Sequence, residues 1–219
     1  MESGRREFLG KWAAAAGIGT LPLPPREPHQ KHHTHPSPDG GTNTASGPQT
    51  SDSGRAGHER FMWLAIEQAR NNPEWPFGAV IVDSRTGEVL AGGVNSGADS
   101  PVLHGEIVAM NDYVRRHGNQ GWTRTTLYTT GEPCPMCMSA MAWADLRRVV
   151  WASSIEEIRR TGIGQIALPA QEVAARARSF YHPELMLGGV LADHTRRLFE
   201  QAQQLRDRHT DTSPVGAPS

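Results

Sequence analysis

The sequence predicts an α/β protein, a three-layer α/β/α sandwich around a mixed five-stranded sheet. Three observations carry that expectation. Strand-like and helix-like patterns alternate along residues 58–208. The first two strands lie one short turn apart, as in a hairpin. Helical segments fill the space between the fourth and fifth strands, as a parallel crossover requires.

Residues 59–70 carry Phe61, Leu64, Ala65 and Ala69 at helical spacing, and Asn71-Asn72-Pro73 stops that helix. Residues 77–83 (FGAVIVD) read as a buried strand, 84–88 as a turn in which Gly87 can take positive φ, and 89–94 as the strand that pairs back. Residues 104–117 read as a helix with Ile107, Val108 and Met110 apolar, 125–130 as a β-rich strand, 135–144 as a helix and 147–152 as a strand. Helical signals follow at 155–160 and 169–178, then a fifth strand at 185–191 and a final amphipathic helix at 193–208.

Only 37% of the 219 residues are hydrophobic, which is low for a compact domain. The deficit is concentrated in one place. Between Pro22 and Gly57 the apolar residues are Leu23, Ala45 and Ala56 alone. Such a stretch cannot bury enough surface to offset its conformational entropy, so 24–57 is expected to be a disordered linker rich in His, Pro, Gly and Ser. Its histidines (His29, His32, His33, His35) read as a solvated polar tract, with loose metal binding as the alternative. Residues 58–208 then form the folded domain, enough for one sizeable core, and 209–219 a frayed polar tail.

The folded domain has 17 acidic residues against 16 arginines and no lysine, a net charge of −1. That balance gives no whole-domain pull toward nucleic acid or an anionic membrane. Two cysteines exclude a disulfide-rich scaffold. No stretch approaches the ~20 apolar residues of a membrane span. At the start, Arg5-Arg6-Glu7-Phe8-Leu9-Gly10-Lys11 followed by the mildly apolar 12–23 resembles a bacterial twin-arginine export signal. Residues 1–23 are therefore expected to direct export to the periplasm or another extracytoplasmic space. There is no clean small-x-small cleavage site after Leu21, so a retained tether stays open.

The chemistry lies in His104, Glu106, Cys134 and Cys137. The cysteines are spaced C-x-x-C at a helix start, after Pro133, so both sulfurs can reach one ion and both gain from the helix N-terminus as thiolates. A redox dithiol has the same spacing. His104, thirty residues upstream, also opens a helix and supplies a third ligand. Three ligands leave a fourth tetrahedral position for water, the pattern of catalytic zinc. Glu106 sits two residues past His104, near enough to handle protons without binding the metal.

The combination H-x-E … P-C-x-x-C is the zinc deaminase signature. With PFGAVIV at 76–82, LYTT at 127–130, GEPCPMC at 131–137 and GVLAD at 189–193, the chain from about Phe61 to Phe199 resembles the purine-type branch of the cytidine-deaminase-like superfamily. That branch includes bacterial guanine deaminases and the tRNA adenosine deaminase. The resemblance implies a cytidine-deaminase-like fold and zinc-dependent hydrolytic deamination of a nucleobase or nucleoside, purine favoured. His104, Cys134 and Cys137 would hold Zn²⁺, and Glu106 would be the catalytic proton shuttle. It also implies a homodimer with active sites near the subunit contact.

By the family pattern, Asn95 holds the substrate ring or sugar and Phe77 lies at the pocket floor; Trp143, six residues past Cys137, is placed to line the pocket. The competing readings are a turn former for Asn95, a core residue for Phe77 and a helix-packing residue for Trp143. Guanine deaminases of this type carry an acidic residue after the fourth strand and a closing C-terminal aromatic. Here those places hold Thr161-Gly162-Ile163-Gly164-Gln165 and Pro214-Val215-Gly216-Ala217-Pro218-Ser219. These departures weaken guanine specifically. The charge balance and export argue against a nucleic-acid substrate, leaving a small base or nucleoside. A pyrimidine deaminase, a Cys134–Cys137 oxidoreductase and a catalytically silent zinc-binding module remain the alternatives.

Overall fold

The structure, a computed structural model, describes residues 52–211. The export-signal segment 1–23, residues 24–51 of the linker and 212–219 of the tail lie outside the described residues. The elements run α1 (Asp52–Ala69), β1 (Gly78–Asp83), β2 (Val89–Val94), α2 (Gly105–His117), β3 (Thr125–Gly131), α3 (Pro135–Ala144), β4 (Arg148–Ser153), α4 (Ile155–Arg160), α5 (Ala170–Arg176), β5 (Leu185–Leu187) and α6 (Ala192–Asp211). A 3-10 turn at Trp122–Arg124 leads into β3.

The five strands form one sheet in the order β2-β1-β3-β4-β5. β1 is antiparallel to β2 and to β3, with Ala79 opposite Gly93 and Thr129. β3–β4 and β4–β5 are parallel, with Leu127 beside Val149 and Val149 beside Met186. The sheet is mixed, as the sequence predicts, and α3 and the α4–α5 pair make the two crossovers.

Strand alternation sorts the core into two faces. Ala79, Ile81, Leu127, Val149 and Trp151 pack with Met110 and Tyr113 of α2, Met138 and Met141 of α3 and Ala170 and Ala174 of α5. Val80, Val82, Tyr128, Val150 and Ala152 pack with Met62, Ala65 and Ile66 of α1 and with Leu198 of α6. Helices therefore cover both sheet faces in three layers.

The structure moves three boundaries by about three residues or more. α1 begins at Asp52, inside the stretch assigned to the linker. Gly54, Ala56 and Gly57 in its first turns are exposed, so hydrophobic periodicity carries no trace of them. β5 stops at Leu187 instead of Leu191. Beyond it, a Cβ at Gly188 would lie 2.7 Å from the Trp151 indole nitrogen, and Gly189 takes φ +82, so the chain leaves the sheet there. α6 continues to Asp211, into the segment expected to fray.

One buried carboxylate ties the end of β3 to two helix starts. Glu132 is 7% exposed. Its Oε2 accepts the Ile155 N–H at 2.9 Å, and its Oε1 accepts the Ala170 N–H at 2.8 Å. These are the first residues of α4 and α5, where a helix N-terminus favours negative charge. Glu132→Ala would leave two buried N–H groups unpaired at about 1–3 kcal/mol each. The expected loss of roughly 2–5 kcal/mol would appear as a lower denaturant midpoint, whereas an unchanged midpoint would refute this role.

Candidate active site

α2 and α3 begin beside each other, and each places a metal-ligand residue at its N-cap. His104 has φ −66, ψ 158 and Cys134 has φ −62, ψ 165, and neither side chain caps its own helix. Instead they face each other. His104 Nδ1 lies 3.5 Å from Cys134 Sγ and 3.6 Å from Cys137 Sγ, and the two sulfurs are 3.7 Å apart. A tetrahedral ion with Zn–S of ~2.3 Å and Zn–N of ~2.0–2.1 Å needs edges of ~3.8 Å between sulfurs and ~3.6 Å between nitrogen and sulfur. The donor triangle matches both edges. A disulfide needs ~2.0 Å, and both cysteines are free.

The local sequence explains the convergence. A Cβ at Gly105 would lie 2.3 Å from the Phe77 carbonyl oxygen, and one at Gly93 would lie 2.4 Å from the Ala109 nitrogen. Only glycine at both positions lets the first turn of α2 lie against the β1–β2 hairpin. On α3, Pro135 occupies the first helical position, a role the sequence reading gave to Pro133. Its absent N–H costs nothing there. Cys134 and Cys137 are then the N-cap and third helical residue, a pair that points to the same side.

Glu106, the second residue of α2, is 3% exposed, and its Oε2 lies 3.6 Å from Cys137 Sγ. Burial first, then the nearby charge of Cys134, pushes its carboxyl up to about 7. Contact with Cys137 and with His104 pulls the Cys134 thiol down to about 4 against the effect of burial. Cys137 is pushed well up by its contact with Cys134 and by burial. His104 is raised mainly by its contact with Cys134. The protein groups alone thus ionise one sulfur readily and resist the second. A bound dication removes that asymmetry, because coordinating thiols are deprotonated outright.

A cleft of about 720 Å³ opens beside His104, lined also by Asn72, Glu74, Trp75, Asn95 and Asp99. Asn95 lines it as the sequence reading expects. Its N–H donates to the Phe77 carbonyl at 2.9 Å, and its Oδ1 accepts the Gly97 N–H at 3.0 Å. It therefore makes the local turn and leaves Nδ2 as a donor for a ligand. Phe77 packs its ring on Phe199 at 5.0 Å, in a small cluster with Ile158 and Ile163. Its main chain, rather than its ring, meets the site. Trp143 is 79% exposed, stacks on Phe180 with ring centroids 4.8 Å apart and is not among the residues lining the cleft.

Sequence reading missed Asn72, Glu74 and Trp75. Asn72 reads only as part of a helix stop, and the irregular 71–77 segment has no periodicity to assign. Its position directly before the PFGAV strand is the signal that could have drawn attention to it.

Three protein donors in tetrahedral register beside a buried carboxylate define a zinc-dependent hydrolase site. Residues 55–153 match the family described as the cytidine and deoxycytidylate deaminase zinc-binding region. The chain is 33% identical to guanine deaminase of Bacillus subtilis over 140 residues, which is 58% of this chain and 86% of that protein. It is 34% identical to a tRNA-specific adenosine deaminase of Streptococcus pyogenes over 99 residues, 43% of this chain and 61% of that protein. The solved guanine deaminase of Nitrosomonas europaea shares the fold with a TM-score of 0.58 at 20% identity, covering 67% of this chain and 84% of that one. The chain belongs to the zinc-dependent cytidine-deaminase-like family, in its purine-type branch.

Proposed function

We infer that the protein hydrolytically deaminates a nucleobase or nucleoside, purine favoured, and releases ammonia. The observation that carries this is the match of the His104–Cys134–Cys137 triangle to a tetrahedral zinc face, with the Glu106 carboxylate beside it. When bound, zinc supplies Lewis-acid activation of a water molecule. Glu106 would take one proton from the attacking water at its carboxylate oxygen and give it to the ring nitrogen, and would then carry the second proton, from the new hydroxyl, to the departing amine. The balance is a C–NH₂ and water converted to C=O and ammonia. A single positioned carboxylate is worth ~10²–10⁴ in rate.

The cleft supports a small substrate. Glu74 and Asp99 give its rim two carboxylates, which favour an amino-bearing ring and disfavour a polyphosphate backbone. Among the described residues, no helix is long and apolar enough to cross a membrane.

We propose two further features of the whole protein. The ten residues of α3 include no charge, and their Met136, Ala140 and Ala144 are only partly buried while Trp143 stands out exposed. An apolar helix with an uncovered face supports a homodimer contact there. The Arg5-Arg6 motif supports export through a twin-arginine route, which would let zinc load before the cysteines meet an oxidant.

In purified protein, Glu106→Gln should keep its zinc and lose deamination at least about a hundredfold, while Cys137→Ser should lose the metal; full activity in Glu106→Gln protein would overturn the assignment. Trp143→Glu should convert a dimer to a monomer by light scattering, and a monomeric wild type would refute the contact. A chain with Arg5→Lys and Arg6→Lys should stay in the cytosol on fractionation, and continued export would count against the signal.

A further inference from the structure

The cleft beside His104 has one aromatic wall, and the fold holds it more firmly than a surface side chain needs. Trp75 is 41% exposed and lines the same cleft as His104 and Asn95. It lies in the irregular segment between α1 and β1, where no helix or strand fixes it. Three contacts do so instead. Its main-chain N–H donates to Asn72 Oδ1 at 3.1 Å and approaches the Asn72 carbonyl at 3.2 Å. The Arg206 guanidinium of α6 lies 4.5 Å from the centroid of the indole ring, covering one face. Arg206 itself donates to the Glu74 carbonyl and, at 2.7 Å, to Gln203 Oε1. His209 of the same helix meets Glu74 Oε1 at 3.1 Å.

Asn72 also reaches the other side of the cleft. Its Nδ2 donates to the Asn95 carbonyl at 2.9 Å. One side-chain amide therefore bridges the main chain of Trp75 and the main chain of Asn95 across the cleft. Exposed aromatic surface is costly in water; here Arg206 covers one face of the ring, and Trp75 is one of the residues lining the cleft.

We propose that Trp75 is the stacking wall for the planar ring of the substrate, with Arg206 and Asn72 as its positioning residues. This rests on the deamination reading above and assigns the recognition of the ring to a residue outside the zinc motif. Stacking on a π-face tolerates different bases, because every base has one. Trp75 therefore sets affinity for a heteroaromatic ring, while polar groups such as Asn95 Nδ2 discriminate among rings. The guanidinium also fixes the indole from behind, so that less freedom is lost on binding.

The test uses zinc-loaded full-length protein, with guanine, guanosine and adenosine as probes. Equilibrium binding is measured in the Glu106→Gln background, where turnover is removed, and KM and kcat are measured in the active background. Trp75→Ala should weaken binding and raise KM by at least about fivefold, with a smaller change in kcat and unchanged zinc content. Trp75→Phe, which keeps a π-face, should recover most of the affinity. Trp75→Leu, which keeps apolar packing under Arg206 without the ring, should behave like Trp75→Ala and serves where the alanine variant folds poorly. Arg206→Gln should raise KM by a smaller factor. Unchanged binding and KM in both Trp75→Ala and Trp75→Leu, with an active wild type, would overturn the stacking role alone. A zinc-loaded wild type that neither binds nor deaminates any of the three probes would overturn the functional reading and this proposal together.

Discussion

The site depends on how closely the first turn of α2 approaches the main chain of Phe77. The Phe77 carbonyl oxygen sits where a side chain at position 105 would be, and it also accepts the Asn95 N–H at 2.9 Å. One peptide group therefore places the ligand-bearing end of α2 and the asparagine of the cleft. With Gly105 in place, His104 turns outward to the donor cluster and Glu106 turns inward to burial. A Cβ would push α2 away from the hairpin, while α3 stays fixed between β3 and β4. The histidine would then part from the two sulfurs. Overpacking of this kind costs about 1–3 kcal/mol in stability.

Electrostatics and geometry agree at the cluster. Two cysteines, one imidazole and one carboxylate meet at two helix N-termini, with Glu106 and Cys137 fully or almost fully buried. Burying several acidic groups together is unfavourable without a cation to balance them. Contacts with Cys137 and His104 hold Cys134 low, burial raises Glu106, and the contact with Cys134 together with burial raises Cys137. A divalent ion supplies the missing charge and favours the ionised form of every group around it. Folding and metal binding are coupled through the same residues. Glu132, two residues before Cys134, anchors the starts of α4 and α5 by two hydrogen bonds. It thereby holds in place the end of β3 from which Cys134 departs.

Most of the fold was legible in the sequence because its strands are apolar runs bounded by turn residues and its helices carry regular spacing. The strands at 78–83 and 89–94 and the helices at 135–144 and 155–160 fall where those patterns put them. The beginning of α1 was not legible, since Gly54, Ala56 and Gly57 there are exposed and carry no apolar pattern. The end of β5 was not either, because the close pass of Gly188 over Trp151 is a tertiary contact. The donor cluster was legible as spacing, but its partners were not. Asn72, Glu74, Trp75 and Arg206 come together from an irregular segment and from a helix far along the chain, Arg206 lying 132 positions after Glu74. No local pattern records that meeting. The same limit applies to Phe77, whose apolar ring drew attention while its carbonyl does the positioning.

The substrate-facing part of the site thus has two layers with different origins. The zinc face and Glu106 carry the chemistry common to the family, and the cleft at Asn72, Trp75 and Asn95 is the surface we propose for holding a particular ring. The central claim is that this chain replaces an exocyclic amine with an oxygen taken from water. Its most direct test is turnover of purine bases and nucleosides by the zinc-loaded protein in ¹⁸O-labelled water, followed by mass spectrometry of the product and assay of ammonia. The account predicts one labelled oxygen in the new carbonyl for each ammonia released. An unlabelled product, or no ammonia from any base or nucleoside despite full zinc loading, would contradict it.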